Sequence, residues 1–156
     1  MAIEIERKFL LKSDEYRALS TSKQIVQGYI CSDKNRVVRV RIYGKQAYIT
    51  IKNASVGFAR NEFEYEIPVA DARILLSELC EQPIIEKVRY RYDYKGFCWE
   101  IDEFHAENEG LVVAEIELST TDCEFEKPSF IGEEVTEDTR YYNANLLKNP
   151  YKNWNK

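Results

Sequence analysis

Histidine is almost missing from this chain of 156 residues, with His105 the only one. That excludes His-rich zinc sites and argues against a Ser-His-Asp triad. Six Gly and four Pro leave no composition for collagen, low complexity or long linkers. No apolar run approaches the ~20 residues of a spanning helix, so no membrane partner is expected. The start, MAIEIERKF, has no basic-plus-apolar signal pattern. The four cysteines (Cys31, Cys80, Cys98 and Cys123) are widely spaced without a CxxC. They read as small packing residues rather than disulfides, and a cytoplasmic location is expected. A basic surplus is lacking too: 22 Lys plus Arg face 27 Asp plus Glu, for a net charge of −5. Such a chain does not coat nucleic acid or anionic lipid through its overall field, and any polyanion must meet a local basic cluster.

What is plentiful is hydrophobic residues (44%), enough for one core, and aromatics (13%), which strand-rich folds favour. No repeat or charge block interrupts the chain, so residues 1–156 read as one domain. Most of the sequence alternates with period two, the strand signature. Strands are predicted at 2–10, 24–31, 36–43, 46–53, 60–67, 86–95, 97–103 and 110–119, with hairpins at Gly44 and Gly96. A helix is predicted at 71–82, with Asp71 capping it, Ala72, Leu75, Leu76, Leu79 and Cys80 on one face, and Pro83 ending it. Weaker helical patterns cover 13–20 and 138–148. About eight antiparallel strands with few helices make a mainly β (α+β) fold, either a barrel or a sandwich.

Because strand side chains alternate between faces, parity sorts them. Glu4, Glu6 and Lys8 share a face, as do Arg39 with Arg41, Lys52 with Tyr48 and Thr50, and Arg60 with Glu62, Glu64 and Glu66. Lys87, Arg89 and Arg91 form another such set, followed by Glu100 with Asp102 and Glu115 with Glu117. The opposite faces carry mostly aliphatic and aromatic residues. One reading is that the ionic face meets water. The other is that it lines the lumen of a closed barrel. Like charges two residues apart on a strand lie about 7 Å from each other, costing about 0.6 kcal/mol in water and about 2 kcal/mol at an effective dielectric near 20. In a lumen the basic strands therefore call for a polyanion and the acidic ones for cations. A lumen of about eight strands is wide enough for a ligand.

These motifs in order (EIERKF, RVR at Arg39 and Arg41, TIK ending at Lys52, ARNEFEYEIP, EKVRY, WEIDEF, GLVVAEIEL and EEVTEDTRYYNANL) resemble the CYTH superfamily, the triphosphate tunnel metalloenzymes, of short bacterial type. The resemblance spans the whole chain. It implies a closed eight-stranded antiparallel barrel whose basic residues hold a triphosphate and whose carboxylates hold Mg²⁺ or Mn²⁺, hard cations suited to oxygen donors. It makes Glu4, Glu6 and Glu117 the leading metal ligands, with Glu115 next. Arg39, Arg41, Lys52, Lys87 and Arg89 grip phosphate through planar forks and point charges. Lys8 either touches phosphate or orients Glu6. Glu4, Glu6, Glu62 and Glu64 are candidates for activating water, and Lys87 for protonating or stabilising the leaving phosphate. Asp102 and Arg60 are either ligand-facing or structural ion partners, and Tyr29 either contacts phosphate or packs. Arg140 to Tyr142 suit a terminal helix over one tunnel mouth, with Tyr142 and the following NANL as packing.

Family members of this fold hydrolyse inorganic triphosphates, thiamine triphosphate or RNA ends, or cyclise ATP, so fold alone does not choose. The short chain leaves little room for a base or thiamine pocket, which favours inorganic tripolyphosphate. Alternatives are a class IV adenylyl cyclase, a thiamine or nucleoside triphosphatase, and a non-catalytic polyphosphate- or nucleotide-binding module. The carboxylate set argues against the last, since binding a polyanion alone needs no acids. A triphosphate-containing small molecule is the expected partner, and a homodimer stays open.

Overall fold

The computed structural model describes residues 2–3, 5–54 and 59–154, with side chains from 5–54 and 61–154. The strands are β1 (Ala2–Ile3), β2 (Ile5–Leu11), β3 (Thr21–Asp33), β4 (Arg36–Tyr43), β5 (Gln46–Asn53), β6 (Ala59–Arg60), β7 (Glu62–Ile67), β8 (Ile85–Tyr94), β9 (Phe97–Phe104), β10 (Val112–Leu118) and β11 (Ile131–Glu134). The helices are α1 (Tyr16–Leu19), α2 (Val69–Glu78) and α3 (Asn143–Lys148). Both predicted hairpins form. Gly44 at φ +63° starts the β4–β5 turn, while Lys95 and Gly96, at +49° and +86°, make the β8–β9 turn. Such left-handed turns match the strand twist.

Nine strands pair in the order β11-β2-β10-β9-β8-β3-β4-β5-β7, and every pairing is antiparallel. The mainly β class stands, but the closed eight-stranded barrel does not. The long sheet ends at β11 and β7, and a separate two-stranded pair, β1 with β6, sits apart from it. Since β1 leads into β2 and β6 into β7, this pair ties one end of the sheet's β2 region to its β7 edge. A strap of two residue pairs takes the place of a continuous ladder.

The apolar face packs into three clusters. Phe9, Tyr16, Trp99, Ile101, Ile116 and Phe130 centre the first, where rings meet edge to face, as Phe9 and Trp99 do at 5.5 Å. Val40, Ile42 and Ala47 pack under Ala72 and Leu76 of α2 and under Cys80, just beyond its end. Tyr29, Ile85, Phe104 and Val113 pack against Leu146 and Leu147 of α3.

Several expectations shift. Pro68, not Asp71, occupies the position before α2, and Asp71 lies inside the first turn, where its charge suits the helix dipole. The helix ends at Glu78, so Leu79 drops off the buried face and is 60% exposed. Helices do not cover the whole outer face either. Ile51, Phe63 and Tyr65 remain exposed on β5 and the edge strand β7. All four cysteines are free, and only Cys80 is fully buried. Among the described residues no helix is long and apolar enough to cross a membrane.

Ile116 is fully buried in the first cluster. Ile116→Ala is expected to lower unfolding free energy by about 2–5 kcal/mol, whereas Leu79→Ala changes it by at most about 0.5 kcal/mol. Urea denaturation of both variants checks the contrast.

Candidate functional site

Curling of the sheet encloses the charged face. A cavity of about 450 Å³ opens there, within the range of small-molecule sites. Its wall includes six cationic side chains (Lys8, Arg39, Arg41, Lys52, Lys87 and Arg89) and five acidic ones (Glu6, Glu62, Glu64, Glu100 and Glu115). A chain with net charge −5 thus gathers six of its cations in one place.

The charges also separate by depth. Lys8, Lys87 and Arg89 are buried, as is Asp102, while Glu6, Glu62, Glu64 and Glu117 are exposed. Strand register explains the partners. Lys8 stands opposite Glu115, and its Nζ reaches Glu115 Oε1 at 2.5 Å. Arg89 stands opposite Asp102 and grips it with two bonds, Nε to Oδ1 at 2.8 Å and Nη2 to Oδ2 at 3.0 Å. Lys52 faces Glu62 at 3.7 Å, and Thr50 on the same strand donates to Glu64 Oε2 at 2.9 Å. Glu117 is directly opposite Glu6.

At the centre Asp102 serves two cations. Its Oδ2 also takes Lys87 Nζ at 2.8 Å, with both side chains almost fully buried. Burial raises the cost of a lone carboxylate, but Lys87 and Arg89 outweigh it and hold Asp102 well below the usual carboxylate range. One carboxylate cannot serve both cations fully. Burial, reinforced by Arg89 and Arg41 and opposed by Asp102, lowers Lys87 to about 8. Burial and the neighbouring Arg39 and Arg89 lower Arg41 to about 10. Lys8 has the opposite outcome, because Glu115, Glu6 and Asp102 overcome its desolvation and raise it. Arg39 Nε is buried with no hydrogen-bond partner among the described residues. Neighbouring cations and an unpartnered buried guanidinium N–H are groups that a polyanion's oxygens suit.

The expected phosphate-binding residues Lys8, Arg39, Arg41, Lys52 and Arg89 thus come together, along with Lys87, Glu6, Glu62, Glu64 and Glu115. Tyr29 packs in the third cluster and also lines the cavity. Asp102 is an ion partner behind the wall. Glu4 and the Arg60 side chain lie outside the described residues. The Tyr142–Leu147 segment divides. Leu146 packs as expected, with Leu147 beside it, but Tyr142, Asn143 and Ala144 line the cavity, and Lys8 Nζ sits 5.8 Å from the Tyr142 ring centre. Reading all of NANL as packing was incorrect, because a six-residue helix sends its first residues toward the site and its leucines into the core. Gln27, Thr50 and Thr136 also line the wall. Parity places Gln27 in line with Tyr29, a signal passed over because the side chain carries no charge.

Among the described residues no three Asp, Glu, His or Cys side chains converge as a metal group. The donors that face one another at the open side, Glu6 and Glu117, are nonetheless all oxygen. Two carboxylates set opposite each other fit a hard divalent cation, and nothing in this set suits zinc or copper.

Comparison with known proteins agrees over nearly the full length. The CYTH domain family matches residues 2–151. A curated inorganic triphosphatase of Acetivibrio thermocellus is 53% identical over 154 residues, covering 99% of each chain. An inorganic triphosphatase of Nitrosomonas europaea is 33% identical over 147 residues, 92% of this chain and 95% of that one. The crystal structure of the inorganic triphosphatase NE1496 superposes with a TM-score of 0.71 at 31% identity, covering 94% of this chain and 95% of that one.

Removing the central carboxylate is expected to be costly. Asp102→Asn leaves Lys87 and Arg89 buried without their shared anion, a loss of about 3–5 kcal/mol at pH 7. Asp102 is depressed when folded, so its contribution is complete above the unfolded value near 4 and fades as pH falls below it. Urea titrations from pH 7 to 3 are expected to show the gap between the two proteins narrowing below about pH 4, whereas a gap independent of pH contradicts the assignment.

Proposed function

The chain belongs to the CYTH domain family, and on that footing we propose that it is an inorganic triphosphatase that cleaves the terminal phosphate of tripolyphosphate with a divalent cation, Mg²⁺ or Mn²⁺. The observation that carries this reading is that six cationic side chains, Lys8, Arg39, Arg41, Lys52, Lys87 and Arg89, line one cavity. The whole chain then acts as one CYTH domain.

In this reading Arg39, Arg41, Lys52, Arg89 and Lys8 hold the phosphate chain, with guanidinium forks taking pairs of oxygens. Glu6 and Glu117, with Glu4 beside them in the sequence, are the residues suited to hold the cation, and Glu115 comes next, although Lys8 already engages it. A bound divalent cation would neutralise phosphate charge and favour attack by water. Glu62 and Glu64, at the exposed side, orient that water and receive its proton. Its oxygen bonds to the terminal phosphorus as the bridging P–O bond breaks, and Lys87 supplies an N–H to the departing oxygen. The products are orthophosphate and pyrophosphate. Depth fits this division, since cations lie deep for the anion while carboxylates stand where water and metal enter.

With Mg²⁺ or Mn²⁺ present, orthophosphate release from tripolyphosphate is expected to far outpace release from pyrophosphate. Equal rates, or cyclic AMP formed from ATP, would overturn the assignment. Glu117→Gln is expected to lose at least about a hundredfold in kcat, on the scale of one lost charge-stabilising group, while keeping the wild-type far-UV spectrum. Full turnover in that variant removes Glu117 from the cation site.

A further inference from the structure

Asn143 opens α3 and contacts the central lysine. Its Oδ1 lies 3.0 Å from Lys87 Nζ and 3.5 Å from Nε2 of the buried Gln27. Gln27 Oε1 in turn accepts from Arg41 Nε at 3.1 Å. The two ends of this chain are obligate donors, since neither a guanidinium nor an ammonium accepts. Arg41 therefore requires the oxygen of Gln27, which turns the Gln27 NH₂ toward Asn143. The Asn143 oxygen is then the only part of its amide that can face both donors. The orientation of both amides follows from the cations at the ends.

Other contacts also hold α3. No side chain caps this helix. Leu146 and Leu147 bury in the third cluster, Asn145 Nδ2 donates to the Thr139 carbonyl, and Tyr142 Oη donates to the Thr136 carbonyl. A lysine ammonium has three N–H groups. Asp102 takes one and Asn143 takes another. The ring of Phe104 lies 5.3 Å from the nitrogen.

We propose that Asn143 is the positioning residue for Lys87, holding one N–H so that the third points into the cavity at the departing phosphate oxygen. This rests on the reaction assigned to Lys87 above. It makes the C-terminal segment part of the reacting apparatus as well as its cover.

The groups around Lys87 set what a change at Asn143 does. They are Asp102 on β9, Arg89 on its own strand, Arg41 on β4 and Glu115 on β10. Against this background a neutral acceptor favours the ammonium form. Asn143→Leu and the less bulky Asn143→Ala remove the acceptor, and Asn143→Asp replaces it with an anion. Direct titration of Lys87 by ¹⁵Nζ resonance is expected to shift the midpoint down by at least about half a pH unit without the acceptor, and up by about one unit in the Asp variant. The Lys87-dependent limb of the pH–rate profile moves with it. In the Ala variant kcat falls at least about tenfold, as for one lost charged hydrogen bond, while KM changes less than about threefold. Midpoints that stay put in the Ala and Asp variants overturn the proposal, as does an equal downward shift in both. Wild-type protein that fails to cleave tripolyphosphate sinks the reaction assignment instead, and the resonance midpoints still decide whether Asn143 holds Lys87.

Discussion

A buried carboxylate shared by two buried cations is the interaction on which this structure turns. Asp102 bonds Arg89 twice and Lys87 once, with Lys87 only 1% exposed. A buried charge persists only when paired, and breaking such a cluster is far costlier than forming it is favourable. The register of β8 on β9 places Arg89 opposite Asp102 and so dictates which side of the sheet becomes the cavity. Everything on that parity follows it inward, while the aromatic parity is left to build the core.

The clustering of cations on one wall is then a feature of the fold rather than a defect. Several basic residues have a nearby acid, as Lys52 has Glu62 and the buried Lys8 has Glu115. Along the rest of the wall Arg39 has Glu64 at 3.9 Å and Lys87 and Arg89 share Asp102, while Arg41 bonds the neutral amide of Gln27. A ligand carrying several negative charges would offset the repulsion that Arg39 and Arg89 exert on Arg41. A pre-set field of this kind needs little rearrangement at the moment of reaction, which is the usual source of rate enhancement in phosphoryl transfer.

Much of this was legible because strand parity is a strict period of two. Sorting residues by face collects Lys8, Arg39, Arg41, Lys52, Lys87, Arg89 and the glutamates, although parity alone favours a face that meets water over a lumen. Enclosure depends on long-range curvature, and the period carries no trace of it. The strap between β1 and β6 was invisible for the same reason, as was β11, whose four residues IGEE do not alternate. Helix ends misled through capping logic, since Asp71 is a good capping residue but Pro68, three residues earlier, starts the helix better. Asn143 was hidden by its neighbours: its leucines are core residues, and its partner Lys87 is 56 positions away. An uncharged amide in a short helix gives no pattern to detect.

The central claim is that the enclosed cations form one site for one polyanion. Calorimetric titration of metal-free protein with tripolyphosphate tests it most directly, comparing wild type with Arg41→Gln at matched ionic strength. One equivalent is expected to bind the wild type, with affinity reduced about tenfold or more in the variant, as loss of a charged hydrogen bond requires. Undiminished affinity in Arg41→Gln, or several weak equivalents that salt abolishes alike in both proteins, would contradict the account.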